Sequence, residues 1–340
     1  MTRALILDCE GARPSADEKA VFRDADPWGF ILFARHCQSP EAVRAVCGDL
    51  RDCVGRDAPI LIDQEGGRVA RMKPPVFPAH PAPAVFGRLY KLDPEKAIEA
   101  ARLNAMLIGR MCSELGVTVD CAPMLDVPQI DSDKVVIGDR AIATHVDQII
   151  ELGRATIEGL IKGGVLPVIK HMPGHGRATV DSHYALPRVV ASKRDLRETD
   201  FVTFQAFKDA PIGMTAHIVY EAFDPDRCGT MSETMIKDVI RGEIGFNGLL
   251  LSDDLKMQAL GGPVGARVRD AIGAGVDIAC CCNFSLDQMS EAAAAAPPLA
   301  GAALDRANRA LARMPAPALP GDAAKDYERL AGLIKPALVG

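Results

Sequence analysis

Three histidines fall within thirteen positions of the segment IKHMPGHGRATVDSHYALP, residues 169–187, in a chain that has only seven. His171 and His175 have the spacing of a zinc-binding helix, but a proline and two glycines lie between or beside them and exclude a helix. We therefore expect no metal centre here. His175 is expected to be structural, with its ring fixing a glycine-rich loop.

The second pair in this segment, Asp181 and His183, suits proton transfer. If the chain turns here, the carboxylate can hold one imidazole nitrogen, fix the tautomer and leave the other nitrogen facing a ligand. Histidine titrates near neutrality, so such a pair can both donate and accept a proton. A contact that only stabilises the loop fits the same spacing, and the residues alone leave both interpretations open.

Two further motifs contain carboxylates. In LLLSDDLKM, two acids follow an apolar strand, and strand geometry lets only one point inward. Asp253 is the candidate nucleophile, base or ligand, because Asp254 fits the N-cap of the following helix better. In LIDQEGGRVARM, Asp63 ends a strand before a tight glycine loop that fits no phosphate-binding motif. Carboxylates with a lysine and an arginine suit a polyhydroxylated ligand, because each sugar hydroxyl donates and accepts.

The apolar pattern of the chain predicts the scaffold for these residues. Eight apolar runs predict buried strands: ALILDCE, GFILFAR, PILIDQE, VTVDCAPML, LPVIKH, IGMTAHI, GLLLSDD and VDIACCC. Segments with helical spacing separate most of them, at 39–54, 93–115, 145–163, 192–210, 232–244 and 263–275. Strands that are apolar on both faces and alternate with helices predict a parallel sheet with crossover helices.

Eight such units predict a (β/α)8 TIM barrel, although periodicity alone also allows a doubly wound open sheet. Polar residues at the strand ends favour the barrel, because its carboxyl ends converge on one face. They are Asp63, Asp126, Lys170, His171, His217, Asp253 and Asn283. We expect one catalytic domain over residues 1–340, with the barrel at about 3–290 and a C-terminal helical extension at about 291–340.

Composition limits the class of partner. The chain has 340 residues, 48% of them hydrophobic, and a net charge of -6, which argues against nucleic acid or an anionic membrane as the main partner. The first ten residues leave no room for a signal peptide, and no apolar run approaches membrane-spanning length. We expect a cytoplasmic, soluble monomer. The ten cysteines contain no Cys-x-x-Cys pair and are expected to be apolar filler.

Five motifs, taken in order, resemble those of glycoside hydrolase family three, and in particular its short, single-barrel β-N-acetylglucosaminidases. They are IDQEGGRV, APMLDV followed by VIGDR, KHMPGHGRATVDSH, MTAHIVY and LLLSDDLKM, and they span roughly residues 5–285. The resemblance implies an enzyme without cofactor or metal. It would release non-reducing terminal N-acetylglucosamine from muropeptides, a step of cytoplasmic peptidoglycan recycling.

The resemblance also implies a role for each site residue. Asp253 is implied to be the nucleophile that forms a covalent glycosyl-enzyme. His183, oriented by Asp181 on a mobile loop, is implied to be the general acid and then the general base, in place of the usual second carboxylate. The sugar-binding positions implied by the motifs are Asp63, Arg140, Lys170 and His171, with His217 in the same pocket.

Three other functions fit parts of the pattern. A neutral histidine does not repel phosphate, so phosphorolysis of the same substrate is the alternative within enzymes. A non-catalytic sugar-binding barrel is the second alternative, and a metal-dependent barrel hydrolase is the third. Hydrolysis is the function we expect, because sugar binding alone needs no nucleophile paired with an acid.

Overall fold

The computed structural model describes residues 1–130, 132, 134–178, 186–257, 260–317 and 321–338. Within them, eight parallel strands form a closed barrel. The strands are β1 (Arg3–Leu7), β2 (Pro27–Leu32), β3 (Ile60–Ile62), β4 (Val119–Asp120), β5 (Leu166–Met172), β6 (Ile212–Thr215), β7 (Leu249–Asp254) and β8 (Ile278–Cys280). Because Leu5 of β1 pairs with Ala279 of β8, the sheet closes on itself. The predicted TIM barrel is confirmed, and the open sheet is wrong.

Helices surround the barrel. They lie at Ala16–Ala25, Pro40–Val54, Ala84–Tyr90, Pro94–Glu114, Val146–Lys162, Lys193–Asp195, Phe201–Gln205, Val264–Ala274, Leu286–Ala295, Gly301–Leu311 and Ala323–Leu338, with π-helical segments at Leu196–Asp200 and Thr234–Glu243. Short 3-10 helices lie at Ala34–His36, Gly138–Arg140 and Gly229–Met231. A separate two-stranded parallel sheet pairs Arg188–Val189 with Val219–Tyr220.

Five of the described helices begin at a polar side chain that caps them. Each of these side chains accepts a hydrogen bond from the backbone N–H three residues later: Ser15, Ser39, Asp93, Ser192 and Ser285. Such a bond satisfies a donor that has no acceptor inside the helix and contributes about 1 kcal/mol. The short polar residues therefore set where these crossover helices start.

The lower end of the barrel is closed by the first helix of the C-terminal extension. Ala307 and Ala310 of Gly301–Leu311 pack against the apolar interior of the barrel. Just before β8, buried Asp277 pairs with Arg306 of this helix at 2.6 Å and with Arg241 at 2.8 Å. The extension therefore seals the end opposite the carboxyl ends of the strands. The expected division near residue 290 falls inside the helix Leu286–Ala295.

The fourth strand differs most from its prediction. Residues 117–125 were expected to form one strand, but the regular pairing covers Val119–Asp120 alone. Pro123 has no N–H to donate to a sheet ladder, although its carbonyl accepts the Lys170 N–H at 3.2 Å. The chain thus leaves regular pairing here and reaches Asp126 as a loop.

Two other expectations can be compared with the structure. All ten cysteines are buried among the apolar side chains and are present as free thiols. Among the helices of the described residues, none combines the length and the apolar character needed to cross a bilayer.

Candidate active site

A cavity of about 350 Å³ opens at the carboxyl ends of the barrel strands. Five side chains expected at the site line it together: Asp63, Arg140, Lys170, His171 and Asp253. Phe33, Arg68, Arg71, His175, Asp254, Met257, Cys280, Cys282 and Asn283 also contribute to its wall. The polar residues that the sequence placed at strand ends therefore converge on one volume, of a size suited to a small ligand.

Lys170 is the centre of a buried ionic network at the base of the cavity. Its Nζ lies 2.9 Å from Asp63 Oδ1 and 2.6 Å from Glu65 Oε1. Glu65 also binds Arg140 through two bonds, with Nε at 2.9 Å and Nη2 at 2.8 Å. On the other side, Arg71 donates to Asp63 Oδ2 at 2.8 Å. Three cations and two carboxylates thus fix one another with charge-assisted bonds.

The charge states in this network follow from its contacts. Burial alone would raise the pKa of Glu65, but Arg140 and Lys170 lower it to about 2. Burial works the same way on Asp63, yet Lys170 and Arg71 hold the pKa of its carboxyl well below the ordinary range. Burial opposes the charged form of Lys170, but Asp63 and Glu65 keep the pKa of its ammonium above 10.5. All of these groups therefore stay charged at neutral pH.

A second carboxylate organises the histidine segment. Asp126 accepts a bond from His171 Nδ1 at 2.8 Å and from the His175 backbone N–H at 2.6 Å. The His171 N–H points at both oxygens of the same carboxylate, 3.3 Å away. Nδ1 of His171 is thereby bound, so its other ring nitrogen is the one available to the cavity.

His175 was expected to fix its loop through the ring, but the structure shows a different contact. The backbone N–H, and not the ring, ties this residue to Asp126. The ring lies 5.4 Å from that of His171 and lines the cavity, and its buried Nδ1 has no hydrogen-bond partner among the described residues. Burial, with His171 adding to it, lowers the pKa of this imidazole to about 4. His175 is therefore neutral at physiological pH.

Asp253 enters the cavity because of strand alternation. Leu249 and Leu251 point into the barrel interior, so Asp253, two residues further along β7, shares that face. Its Oδ1 accepts the Asp254 backbone N–H at 2.8 Å. Burial alone would raise the pKa of Asp253, but His217 and His171 lower it below the ordinary value. The side chain is thus an ionised carboxylate inside a largely buried site.

The pKa of Asp254 is shifted in the opposite direction to that of Asp253. Its Oδ1 accepts the backbone N–H groups of Lys256 at 2.9 Å and Cys282 at 3.2 Å. Burial raises the pKa of this carboxyl to about 7. The expected N-cap role is therefore replaced by a tie between the turn after β7 and the loop after β8, and the two adjacent acids are distinct in charge.

His217 occupies a supporting position. It is fully buried, its Nδ1 lies 2.7 Å from Thr230 Oγ1, and its Nε2 lies 3.0 Å from the Asp254 carbonyl. It was expected in the sugar pocket, but it is not among the residues that line the cavity, and its ring instead contacts the Asp254 carbonyl at the end of β7. From there it acts electrostatically on Asp253.

The expected acid/base pair, Asp181 and His183, lies outside the described residues, within the segment 179–185. The chain enters that segment at Ala178, beyond the histidine turn, and returns at Leu186.

Two acids that organise the carboxyl ends of the strands were not predicted from the sequence. Glu65 was not singled out, although it follows Asp63 by two positions and so shares its face of an extended chain. Asp8 was missed too; it pairs with Arg35 and accepts the Asn283 N–H at 2.9 Å, which joins β1 to the loop after β8. Both acids stand at the carboxyl ends of predicted strands, and this position is the signal that could have identified them.

Comparisons with known proteins agree with this geometry. Residues 4–314 match the N-terminal domain of glycosyl hydrolase family 3. A β-hexosaminidase of Alkalilimnicola ehrlichii is 37% identical over 283 residues, covering 82% of this chain and 80% of that protein. One from Pseudomonas aeruginosa is 32% identical over 286 residues, covering 83% of each chain.

Solved structures give the same result. Native NagZ from Neisseria gonorrhoeae superposes with a TM-score of 0.84 at 28% identity, covering 99% of this chain and 96% of NagZ. The same protein has been solved in complex with N-trifluoroacetyl-D-glucosamine, again with a TM-score of 0.84. With the family match extending over most of the barrel and two curated relatives above 30% identity, the chain belongs to glycosyl hydrolase family 3.

Proposed function

We propose that this glycoside hydrolase is a retaining exo-β-N-acetylglucosaminidase. The coarse activity, that of a β-N-acetylhexosaminidase, agrees with the β-hexosaminidases that are its curated relatives. The finer statement depends on one observation, the ionised carboxylate of Asp253 at the end of β7 in a cavity lined with sugar-binding groups. That carboxylate is poised as a nucleophile toward an anomeric carbon.

The first step is attack by Asp253 on C1 of the sugar, which breaks the glycosidic bond and forms a glycosyl ester. His183 donates its proton to the departing oxygen, and in the second step it takes a proton from the water that hydrolyses the ester. Asp181 holds the imidazole in the required tautomer. These two roles rest on the family resemblance of the segment 170–183.

The ionic network supports the binding of a neutral, polyhydroxylated ring. Asp63 offers carboxylate oxygens to sugar hydroxyls, while Lys170, Arg140 and His171 offer N–H donors. Because each of these side chains is held by a buried partner, little conformational freedom is lost when the sugar binds. We assign to these four residues the recognition of the sugar that carries the reacting carbon.

We infer that the natural substrate is a muropeptide with N-acetylglucosamine at its non-reducing end. The resemblance of the five motifs to the family implies this substrate and a role in cytoplasmic peptidoglycan recycling. We further propose that the enzyme has one catalytic domain, since the cavity is lined from the strand ends of a single barrel.

The test is release of a fluorescent leaving group from its β-N-acetylglucosaminide and from the matching β-glucoside. Wild type and Asp253→Ala are compared in phosphate-free buffer, with and without a chelator. We expect rapid release from the N-acetyl sugar alone, lost by at least about 1,000-fold in the variant. Release that appears only with added phosphate would make the enzyme a phosphorylase, and loss with the chelator would indicate a metal-dependent hydrolase. No release under any condition would favour a sugar-binding protein.

A further inference from the structure

The end of β8 and the loop that follows it place two thiols side by side in the cavity wall. The sequence Cys280-Cys281-Cys282 continues the alternation of the strand, so the first and third side chains face the barrel interior and the second faces the helices. Sγ of Cys280 lies 3.2 Å from Sγ of Cys282, and both residues line the substrate cavity. Two free thiols therefore share one wall of the cavity.

A disulfide is not the chemistry that this arrangement favours. Residues two apart on a strand have Cα atoms separated by about 6.6 Å, close to the upper limit of about 6.8 Å for a relaxed disulfide. The thiols are also poor nucleophiles. Burial raises the pKa of Cys282 well above 9.0. The contact with Cys282 lowers the pKa of Cys280, but burial and the carboxylates of Asp254 and Asp253 outweigh it.

A zinc ion is excluded on ligand number. Zinc in proteins takes at least three protein ligands. Among the residues that the structure describes, no group of three or more histidine, cysteine or acidic side chains is arranged to hold a metal ion. The site offers two sulfur atoms, so its ligand must be one that two protein sulfurs can hold.

We propose that Cys280 and Cys282 form a dithiol site that binds small acids of trivalent arsenic, such as arsenous acid, and that occupancy closes the substrate cavity. Arsenic(III) is pyramidal, with bond angles near a right angle, so it bridges two sulfurs at this separation without moving the backbone. Arsenous acid is uncharged at neutral pH and carries three hydroxyl groups, so it resembles the polyol for which the cavity is lined.

The reaction balances without an oxidant. As(OH)₃ and two thiols give one cyclic dithioarsenite and two water molecules. Two As–O bonds break, two As–S bonds form, and each thiol proton leaves on a released hydroxyl group. Protonated thiols are consumed directly, so the raised thiol pKa values do not prevent the step. The bound arsenic then lies in the cavity wall, bonded to the sulfurs of both Cys280 and Cys282.

Arsenic binding is tested by arsenic content and native mass spectrometry after gel filtration of protein treated with arsenite. We expect one arsenic per folded chain in wild type and in the control Cys281→Ala, whose thiol faces the helices. Cys280→Ser and Cys282→Ser should each bind no arsenic. Cys280→Ala and Cys282→Ala, which replace the thiol with an apolar group, should give the same result. Fluorescence of the single, buried Trp28 verifies folding. Equal arsenic content in wild type and these four variants would overturn the proposal.

Inhibition is the second readout, and it rests on the proposed function. Treated wild type should lose at least about 90% of its glycosidase activity, recover it with an excess of a small dithiol, and be protected by N-acetylglucosamine. Stoichiometric arsenic without inhibition or protection would refute closure of the cavity. If untreated protein has no glycosidase activity, the proposed function fails, but the arsenic content still decides the site.

Discussion

Replacing Glu65 with glutamine should weaken both the fold and the catalysis, because this carboxylate joins two buried cations. It binds Lys170 at 2.6 Å and Arg140 through a bidentate pair, and its side chain is 2% exposed. Removing one partner of a buried ion pair costs about 3–5 kcal/mol. Glutamine still offers one acceptor oxygen, and Lys170 still pairs with Asp63. We therefore expect a loss at the lower end of this range, about 3 kcal/mol in the free energy of unfolding.

The same substitution should disturb sugar binding. Arg140 loses its only carboxylate partner among the described residues, and its guanidinium lines the cavity. We expect kcat/KM for the fluorogenic N-acetylglucosaminide to fall about 100-fold, equivalent to about 2.7 kcal/mol. Urea denaturation followed by Trp28 fluorescence gives the unfolding free energy, and initial rates give kcat/KM.

A matched control exists on the surface. Glu243 binds Arg197 with the same bidentate geometry, at 2.6 and 2.7 Å, but the two side chains are 30% and 48% exposed. Glu243→Gln should therefore cost less than about 1 kcal/mol and leave kcat/KM unchanged. Equal losses of stability in the two variants, or full kcat/KM in Glu65→Gln, would refute the reasoning.

The pH dependence supplies a further check on the same residue. The pKa of Glu65 is lowered to about 2 in the folded protein, from an ordinary value of 4.5. The unfolded chain thus binds more protons between these two values, so the stabilisation is complete above about pH 4.5 and is lost as the pH falls toward 2. The difference in unfolding free energy between wild type and Glu65→Gln should shrink over this range. A constant difference would contradict the assigned shift.

Three other substitutions separate positioning from stability. Asp126→Asn should lower kcat about 100-fold and cost about 2 kcal/mol of the free energy of unfolding, because the amide binds the imidazole of His171 and the His175 backbone N–H more weakly; unchanged kcat would contradict this. Asp277→Asn, below the barrel, should cost about 3 kcal/mol of stability and leave kcat intact at low temperature. Burial raises the pKa of Asp120 to about 7, so the folded protein favours the protonated carboxyl more than the unfolded chain does. The stability that this carboxyl contributes at low pH is therefore lost as the pH rises to 7. In urea titrations, the unfolding free energy of Asp120→Asn should rise relative to that of wild type over this pH range. A difference that does not change with pH would exclude the raised pKa of Asp120.

The sequence predicted the barrel because strand count and strand-end chemistry agree. All eight predicted strands overlap strands of the barrel, and polar residues follow their carboxyl ends. The helix Ala16–Ala25 was not predicted, since its surface is mostly charged and only Phe22 and Ala25 are buried apolar residues. The predicted helix 192–210 contains a π-helical stretch, Leu196–Asp200, that no periodicity could indicate.

The sequence indicated the site residues at the strand ends but not the residues that pair with them. Asp63, Lys170, His171 and Asp253 converge as expected, because parallel strands bring their ends together. The link from Glu65 to Arg140 joins residues 75 positions apart, and sequence spacing carries no information about such a contact. The burial of His217 was missed for the same reason, since Thr230, which binds its ring, comes from a later loop.

The measurement that tests the account most directly is the site of covalent attachment. Wild type is incubated with a fluorinated N-acetylglucosaminyl donor that forms the glycosyl-enzyme faster than it is hydrolysed, and the labelled peptide is identified by mass spectrometry. The account predicts one sugar per chain, esterified to Asp253. Attachment to Asp254 or Asp63, or full turnover of the fluorogenic substrate by Asp253→Ala, would contradict it.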